Sequence, residues 1–549
     1  MSLFKAAGRQ LRTFFGFGGE ASYLWPRWVV LRGVGLVYVV IFAGILQEGR
    51  ALVGPHGLSH LAEYCTLADQ VLPNVFVRIL RVPSLFLLSS DPTMVSALQW
   101  GGLAAAVALV LNLWPRLALF ACWAILLSFV GAWRELSSTL NDPLMLETAL
   151  LCIPFAPAGF RPGLGTASPP RPVTVLMMRW LVIRIMLTAG LIKMFGPDPG
   201  WRDFTIMKQM YETSPAPTVL AYYAYHLPQA YHVFEVLFTF AAELLVPVLA
   251  LFGGRRGRAI AVVIWTLFQL GIQLTGNFAW LNTAAIALGL LLLDDQMIVA
   301  GFRRLRLGRW AERLAAPVRA PAAEPVDPSA LASGRRKSSS ALGPRRSTPG
   351  PSPALPGWRS IVVAALLWLH FGLTIYFPAV KLSGKLVVDL PNPRTEPLQF
   401  LFRDFRSANC YSLYATTPPV RDEIEFAGSN DGGATWRPYP FRYKPQREDR
   451  MSPFLAPRFG RFEATLQLVL DGRWQVSLIP DTAQELLHGN PDVIGLFASN
   501  PFPDAPPTVV RMIVHRYTYT DRKTHRDTGR YWNKVYVGDY APPVSAARR

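Results

Sequence analysis

Residues 173–203 read VTVLMMRWLVIRIMLTAGLIKMFGPDPGWRD. From Val173 to Phe195 the run is long enough to cross a bilayer, since about 20 apolar residues rising about 1.5 Å each span the hydrocarbon. Yet Arg184 sits near its middle and Lys193 near its end, and a Gly-Pro-Asp-Pro-Gly turn around Asp198 then delivers Trp201, Arg202 and Asp203. A charge at membrane depth is costly, faces the protein interior and often marks function. The stretch therefore specifies a membrane protein with a polar interior.

The rest of the chain agrees. Of its 549 residues 51% are hydrophobic and 17% are charged; a soluble domain averages about 25% charged. Nine apolar runs are candidate spans: Trp28–Leu46, Met94–Leu113, Leu117–Trp133, Leu144–Phe160, Val173–Phe195, Tyr231–Phe252, Ala259–Thr275, Phe278–Leu293 and Trp358–Val380. Val71–Leu88 is apolar but holds Arg78, Arg81 and Pro83, so it reads as a helix in the interface. The first run lacks a small-residue cleavage site and reads as a retained anchor.

Charge placement sets the expected topology. With the N-terminus inside, Lys5, Arg9, Arg12, Arg27, Arg116, Arg161, Arg171, Arg255, Arg256 and Arg258 fall on the inner side, with eleven more Lys/Arg between Gln296 and Gly357. The net charge of +19 is thus largely a topology signal that also attracts anionic lipid headgroups, and a nucleic-acid partner is rejected. The expected fold is an α-helical multi-pass bundle of about nine spans, N-terminus inside and C-terminus outside, carrying a C-terminal β-rich extracytoplasmic domain. The expected divisions are an eight-span bundle over 1–295, a basic linker over 296–357, a last span over 358–380 and the outside domain over 381–549. Beyond Pro317 the linker is too poor in apolar residues to offset ordering entropy and reads as disordered. In the outside domain, Ile424–Ala427, Arg437–Tyr443, Val509–Thr520 and Tyr531–Val537 read as strands, and Asp481–Phe497 as a helical patch broken at Asn490-Pro491.

Several constellations could carry chemistry. A polar membrane cluster comprises Asp142, Glu147, Arg184, Lys193, Glu243, Asn277 and Asn282, with Arg32 also at membrane depth. Either these hold the bundle together by ion pairs and interhelical hydrogen bonds, or they line a ligand or catalytic cavity. At the outer face the turn with Asp198, Trp201, Arg202 and Asp203 precedes an aromatic loop (Tyr211, Tyr222, Tyr223, Tyr225, His226, His232). That loop reads as an interfacial belt, or with the C-terminal domain as one receiving surface. Ser429, Asp431, Gly433, Thr435 and Trp436 match SxDxGxTW, the Asp-box hairpin of sialidase-type propellers. A propeller needs several copies and this is a single one, so it reads as a stabilising turn. Cys65 and Cys410 both fall outside, either bridged or, as read here, free. His56 and His60 have no third ligand nearby, and no metal or cofactor is expected.

Longer motifs carry a family resemblance. Tyr23–Trp28 with the following LRGVGLVYVVIF, Asp142–Thr148, Gly190–Asp203, Gln273–Asp295, Gly428–Lys444 and Asn490–Pro507 resemble the lipase maturation factor family. The likeness covers nearly the whole chain outside the linker, though Gly460–Asp471 lacks the Trp-rich run of that pattern. It implies a multi-pass protein of the endoplasmic reticulum, or of the plasma membrane in bacteria, that assists folding of an exported client such as a lipase, with membrane lipid as its other partner. Gly190–Trp201 is more distantly similar to the vitamin K-dependent carboxylase group, where a comparable lysine can be a base, which makes Lys193 the one catalytic candidate. A maturation factor is expected to tolerate Lys193→Ala; an enzyme built on Lys193 is not.

Overall fold

The computed structural model describes residues 2–17, 22–133, 141–318, 358–382, 404–411, 414–458, 460–470 and 477–545. The part of the linker expected to be disordered, from 319 onward, lies outside the described residues, as does 383–403 at the expected start of the outside domain.

The N-terminal helix α1 (Ser2–Phe14) precedes α2 (Leu24–Val53). At 30 residues α2 is about 45 Å long, more than a hydrocarbon core of about 30 Å requires. Its last turns, with Glu48 and Arg50, therefore stand clear of the apolar layer. Two short helices, α3 (Leu61–Val71) and α4 (Val75–Arg81), follow, and Asn74 caps α4 by accepting from the N–H groups of Phe76 and Val77. The residues of α4 are all exposed or half-buried, with Val75, Phe76, Ile79 and Leu80 at least half exposed. Helices α5 (Pro92–Val110), α6 (Pro115–Ala132), α7 (Asn141–Phe155) and α8 (Pro172–Phe195) come next. Proline opens three of them, where its missing N–H costs nothing and its fixed φ suits the first turn.

After α9 (Ile206–Thr213) and α10 (Val219–Tyr225), helix α11 (Gln229–Phe240) runs through a π-helical turn, Ala241–Leu245, into α12 (Val246–Phe252). Helices α13 (Gly254–Thr275) and α14 (Leu281–Gly289) complete the bundle. Among the described residues six helices are long and apolar enough to cross a membrane, or seven if a bent pair counts as one span. The expected Phe278–Leu293 span is that bent pair: α14 ends in a 3-10 turn, and α15 (Asp295–Arg304) leaves it at 99°. The expected Leu144–Phe160 span is the 15-residue α7, which carries Pro154 in its last turn. Apolar runs mark buried segments, and burial inside a bundle needs fewer residues than crossing a bilayer.

The bend is fixed by charges. Asp294 caps α15 by accepting from the Met297 N–H (2.9 Å) and receives Arg255 and Arg258. Asp295 accepts from the Leu24 and Trp25 N–H groups (2.9 and 2.7 Å), so a residue of α15 caps α2. The carbonyls left open at the end of α14 are collected by buried arginines: Arg179 donates to Leu291, Leu292 and Leu293, and Arg258 to Leu292. Arg179 also donates to the Phe14 carbonyl, tying α1 to the bundle. Helix α16 (Gly308–Ala315) folds back on α15, so the first part of the expected linker is helical. The helix Trp358–Leu382 then packs against α8.

The C-terminal part carries a four-stranded antiparallel sheet, order β2-β1-β3-β4, with β1 Arg421–Ser429, β2 Arg437–Pro438, β3 Val509–Tyr519 and β4 Trp532–Ser545. In register, Ile424 faces Val514 and Phe426 faces Met512. The expected second strand shrinks to two residues because Pro438 and Pro440 cannot donate to a ladder. The helical patch is two helices, Leu478–Leu487 and Pro491–Ile494, divided at Asn490, whose side chain caps the second. A further helix, Arg461–Leu470, lies against β1. One apolar cluster runs from the bundle into this domain, taking in Tyr411, Ile424, Phe426 and Phe462.

Two outcomes follow. Arg179→Leu would leave the Phe14, Leu291 and Leu293 carbonyls without a donor, Arg258 still serving Leu292, and at about 1–3 kcal/mol for a buried unpaired group the unfolding temperature of the purified protein should fall by several degrees. In the sheet, burial lowers the pKa of His515, and Lys534, Lys444 and Arg511 work the same way against Glu425, which lies 3.5 Å away. A folded pKa below the unfolded value near 6.5 means that the unfolded chain binds the proton better, so stability is lost as pH falls below about 6.5. Wild type should lose more thermal stability between pH 7.5 and 5.5 than His515→Gln; equal losses would show that this histidine plays no part.

Candidate functional site

Asp142, at the first turn of α7, is fully buried. Its carboxylate receives both Nη atoms of Arg461, at 2.5 and 2.7 Å. The guanidinium lies 4.5 Å from the Trp133 ring centroid and 5.1 Å from that of Trp280. Arg461 opens the helix Arg461–Leu470, and its backbone N–H donates to Glu48 at 2.8 Å. A carboxylate at a helix N-terminus meets open N–H groups and the positive end of the dipole. Two acidic residues of the bundle thus hold the start of one helix of the C-terminal domain.

Glu147, one turn along α7, is also fully buried and is more heavily engaged. One oxygen receives Arg184, and His370 lies 3.3 Å away; the other accepts from the Asn409 N–H and Nδ2 (3.0 Å each) and from the Tyr411 hydroxyl (2.7 Å). Arg184 also donates to the Asn409 carbonyl, and Thr188 to the Tyr411 carbonyl. Residues 409–411 are therefore threaded among α7, α8 and the helix Trp358–Leu382.

Asn277, between α13 and α14, spends its whole amide on a similar task. Nδ2 donates to Ala216 and Pro453, and Oδ1 accepts from Leu455 and Ala456, all within 2.7–3.1 Å. At the turn after α8, Asp198 accepts from Gly200 and Thr417, and Trp201 donates to Tyr414. Arg202 donates to the carbonyls of Met194 and Gly196 at the end of α8, while Asp203 is exposed. The aromatic loop is covered in part, Tyr223 remaining exposed. Trp201, Tyr211 and Tyr222 form one buried cluster with Tyr517, Tyr519 and Trp532 of the sheet. Arg421 donates to the carbonyls of Glu212 and Ser214, and the Tyr519 N–H to the Glu212 carboxylate. Burial pushes the Glu212 pKa up, against that N–H bond and Arg421.

Lys193 and Glu243 are different, because they stay inside the bundle. Lys193 Nζ lies 2.6 and 2.8 Å from the two Glu243 oxygens and 5.2 Å from the Trp201 ring centroid. Gly190 makes the approach possible: a Cβ there would come within 2.8 Å of the Glu243 Cβ. The π turn carries Glu243 and turns it toward α8. This pairing alters the expected test at Lys193. Removing the ammonium alone strands a buried carboxylate, a loss of roughly 3–5 kcal/mol whatever the function. Asn282 and Gln269 line the cavity beside the pair.

The seven polar residues thus divide: Asp142, Glu147, Arg184 and Asn277 seat the C-terminal domain, while Lys193, Glu243 and Asn282 border a cavity. Sequence reasoning missed Arg461, Glu48, Asn409, Tyr411, His370 and Arg179. A charge count over the bundle held a clue, since Asp142 has no basic residue one helical turn away on α7. The Asp-box forms a local hairpin: Asp431 accepts from Ser429 and from the Thr435 N–H and hydroxyl, and Gly432 and Gly433 take positive φ. Those bonds hold the Asp431 carboxyl well below the usual carboxylate range. Cys65 and Cys410 are not joined by a disulfide.

Comparison with known proteins gives the family. Residues 25–300 match the model of the lipase maturation factor transmembrane domain, and 407–542 that of the lipase maturation factor C-terminal domain. The chain belongs to the lipase maturation factor family. Lipase maturation factor 1 of Mus musculus is 27% identical over 94% of this chain and 87% of its own. Lipase maturation factor 1 of Homo sapiens is 28% identical, covering 94% and 88%. Lipase maturation factor 2 of Rattus norvegicus is 28% identical, covering 96% and 84%. No solved structure matches. Like the family, the chain is a multi-pass membrane protein.

The seat between the two family domains is open to a double-mutant cycle. Asp142→Ala and Arg461→Ala should each cost about 3–5 kcal/mol, and the double variant clearly less than their sum, since each single change leaves a buried charge alone. Limited proteolysis that frees the C-terminal domain would read the cost; additive losses would mean that the pair does not hold the seat.

Proposed function

We propose that this protein is a membrane-bound maturation factor that assists the folding of exported proteins, lipases first among them. The observation that carries the reading is the match of both family domains in one chain, with the C-terminal domain docked on the bundle through buried charges. The docked domain and the bundle end beneath it would then present one rigid face to a client. With the charge bias of the loops, that face is extracytoplasmic: outside the plasma membrane in a bacterium, or lumenal in the endoplasmic reticulum of a eukaryote. Membrane lipid surrounds the bundle, and a lipase in the course of folding is the partner.

Lys193 acts structurally in this reading. Its Nζ is held by both oxygens of Glu243, at 2.6 and 2.8 Å, and so is spent on the pair. The informative variant replaces both partners at once, Lys193→Met with Glu243→Leu, which removes the charges without stranding either.

A lipase secreted from cells lacking the native gene supplies the test. Wild type should restore active lipase, and the Lys193/Glu243 double variant should keep at least half of that yield. Arg461→Glu, which sets an acid against Asp142 and Glu48, should lose most of it at equal membrane abundance. Full lipase activity in cells lacking the chain altogether would dispose of the proposal, and loss in the double variant at normal abundance would point to chemistry at Lys193.

A further inference from the structure

Beside the Lys193–Glu243 pair lies a cavity of about 80 Å³ between α8, the π turn, α13 and α14. Its walls are mainly apolar, with Met186, Phe268, Phe278 and Leu281 among them. Its polar groups are few. Lys193 and Glu243 satisfy each other, but Asn282, only 2% exposed, has no hydrogen-bond partner for Nδ2 among the described residues. A buried donor left unmade costs roughly 1–3 kcal/mol, and folded proteins seldom leave one so. The cavity therefore calls for an acceptor.

It also has a way in. Met207, Thr239, Phe268 and Phe278 line both the cavity and a wider apolar groove of about 370 Å³ between α11 and α13. The groove wall includes Phe234, Leu267 and Leu274, each about half exposed. Both helices are long and apolar enough to cross a membrane, so in a bilayer an exposed apolar wall on them meets lipid.

We infer that the cavity and groove bind one neutral lipid, its carbonyl oxygen accepting from Asn282 Nδ2 and its hydrocarbon chain running out through the groove. An amide donor at the end of an apolar channel selects an acceptor with a chain attached. A carboxylate head is disfavoured, because Lys193 is already matched by Glu243 and a second anion at that depth has no counter-charge. Carbonyl lipids come from two sources, acylglycerol esters and quinones, which share this chemistry. The inference stands apart from the identity of any client.

Native mass spectrometry of the full-length protein in detergent tests it with three probes: dioleoylglycerol, a decyl-substituted benzoquinone and oleate. A one-to-one adduct with either neutral probe is expected, and the stronger of the two identifies the source. Asn282→Leu, close to the native volume, should weaken it at least tenfold, and Ala285→Phe, which fills the cavity, should abolish it. Arg511→Ala in the sheet should leave it unchanged. The preferred probe should also raise the unfolding temperature of wild type, a readout that does not depend on any variant folding. Binding of oleate as strong as that of the neutral probes, an adduct indifferent to Asn282→Leu, or no adduct and no thermal shift would each overturn the inference, the last leaving a cavity filled by water.

Discussion

A charge buried at the end of a helical bundle has to be met by an opposite charge or by several hydrogen-bond donors. Asp142 and Glu147 impose that demand on this fold. Neither is met from within its own helix. Glu147 takes Arg184 from the next helix and then needs Asn409 and Tyr411; Asp142 depends on Arg461. An isolated carboxylate in a low-dielectric interior costs many kcal/mol, so the bundle on its own is electrostatically incomplete. The C-terminal domain is therefore part of the membrane fold: its helix Arg461–Leu470 and residues 409–411 both seat on α7, and its sheet covers the aromatic segment after α8.

The same logic explains the bend after α14. Two consecutive aspartates do opposite jobs, one capping the helix that follows and the other capping α2 at the far end of the chain. Arg179 and Arg258 then gather the carbonyls that the bend leaves open. Terminal hydrogen bonds that water supplies in a soluble protein are supplied here by side chains, because little water reaches them.

How far the sequence could be read depends on the range of each interaction. Apolar runs, the broken helix at Asn490-Pro491 and the strands around Ile424 and Val509 are local patterns, and they reappear in the structure with small changes of boundary. The hairpin at Asp431 is equally local. The charges at membrane depth were legible as costly, yet their partners were not: Arg461 lies 319 residues from Asp142 and occupies a stretch that matched no motif. Apolar length alone marked nine runs, whereas among the described residues six helices, or seven with the bent pair, are long and apolar enough to cross; α7 is short and largely buried by protein. The aromatic loop after α8 reads in sequence as an interfacial belt or as one surface with the C-terminal domain; which strand residues meet it, Tyr519 and Trp532, no local pattern could say.

The distance between Asp142 and Arg461 has a bearing on how the protein is made. Synthesis runs from the N-terminus, so the bundle helices enter the membrane long before residue 461 leaves the ribosome. Until then Asp142 lacks Arg461, and Glu147 has Arg184 but neither Asn409 nor Tyr411. Arrival of the helix Arg461–Leu470 supplies the partner of Asp142, so the seat closes only after the bundle is already in the membrane.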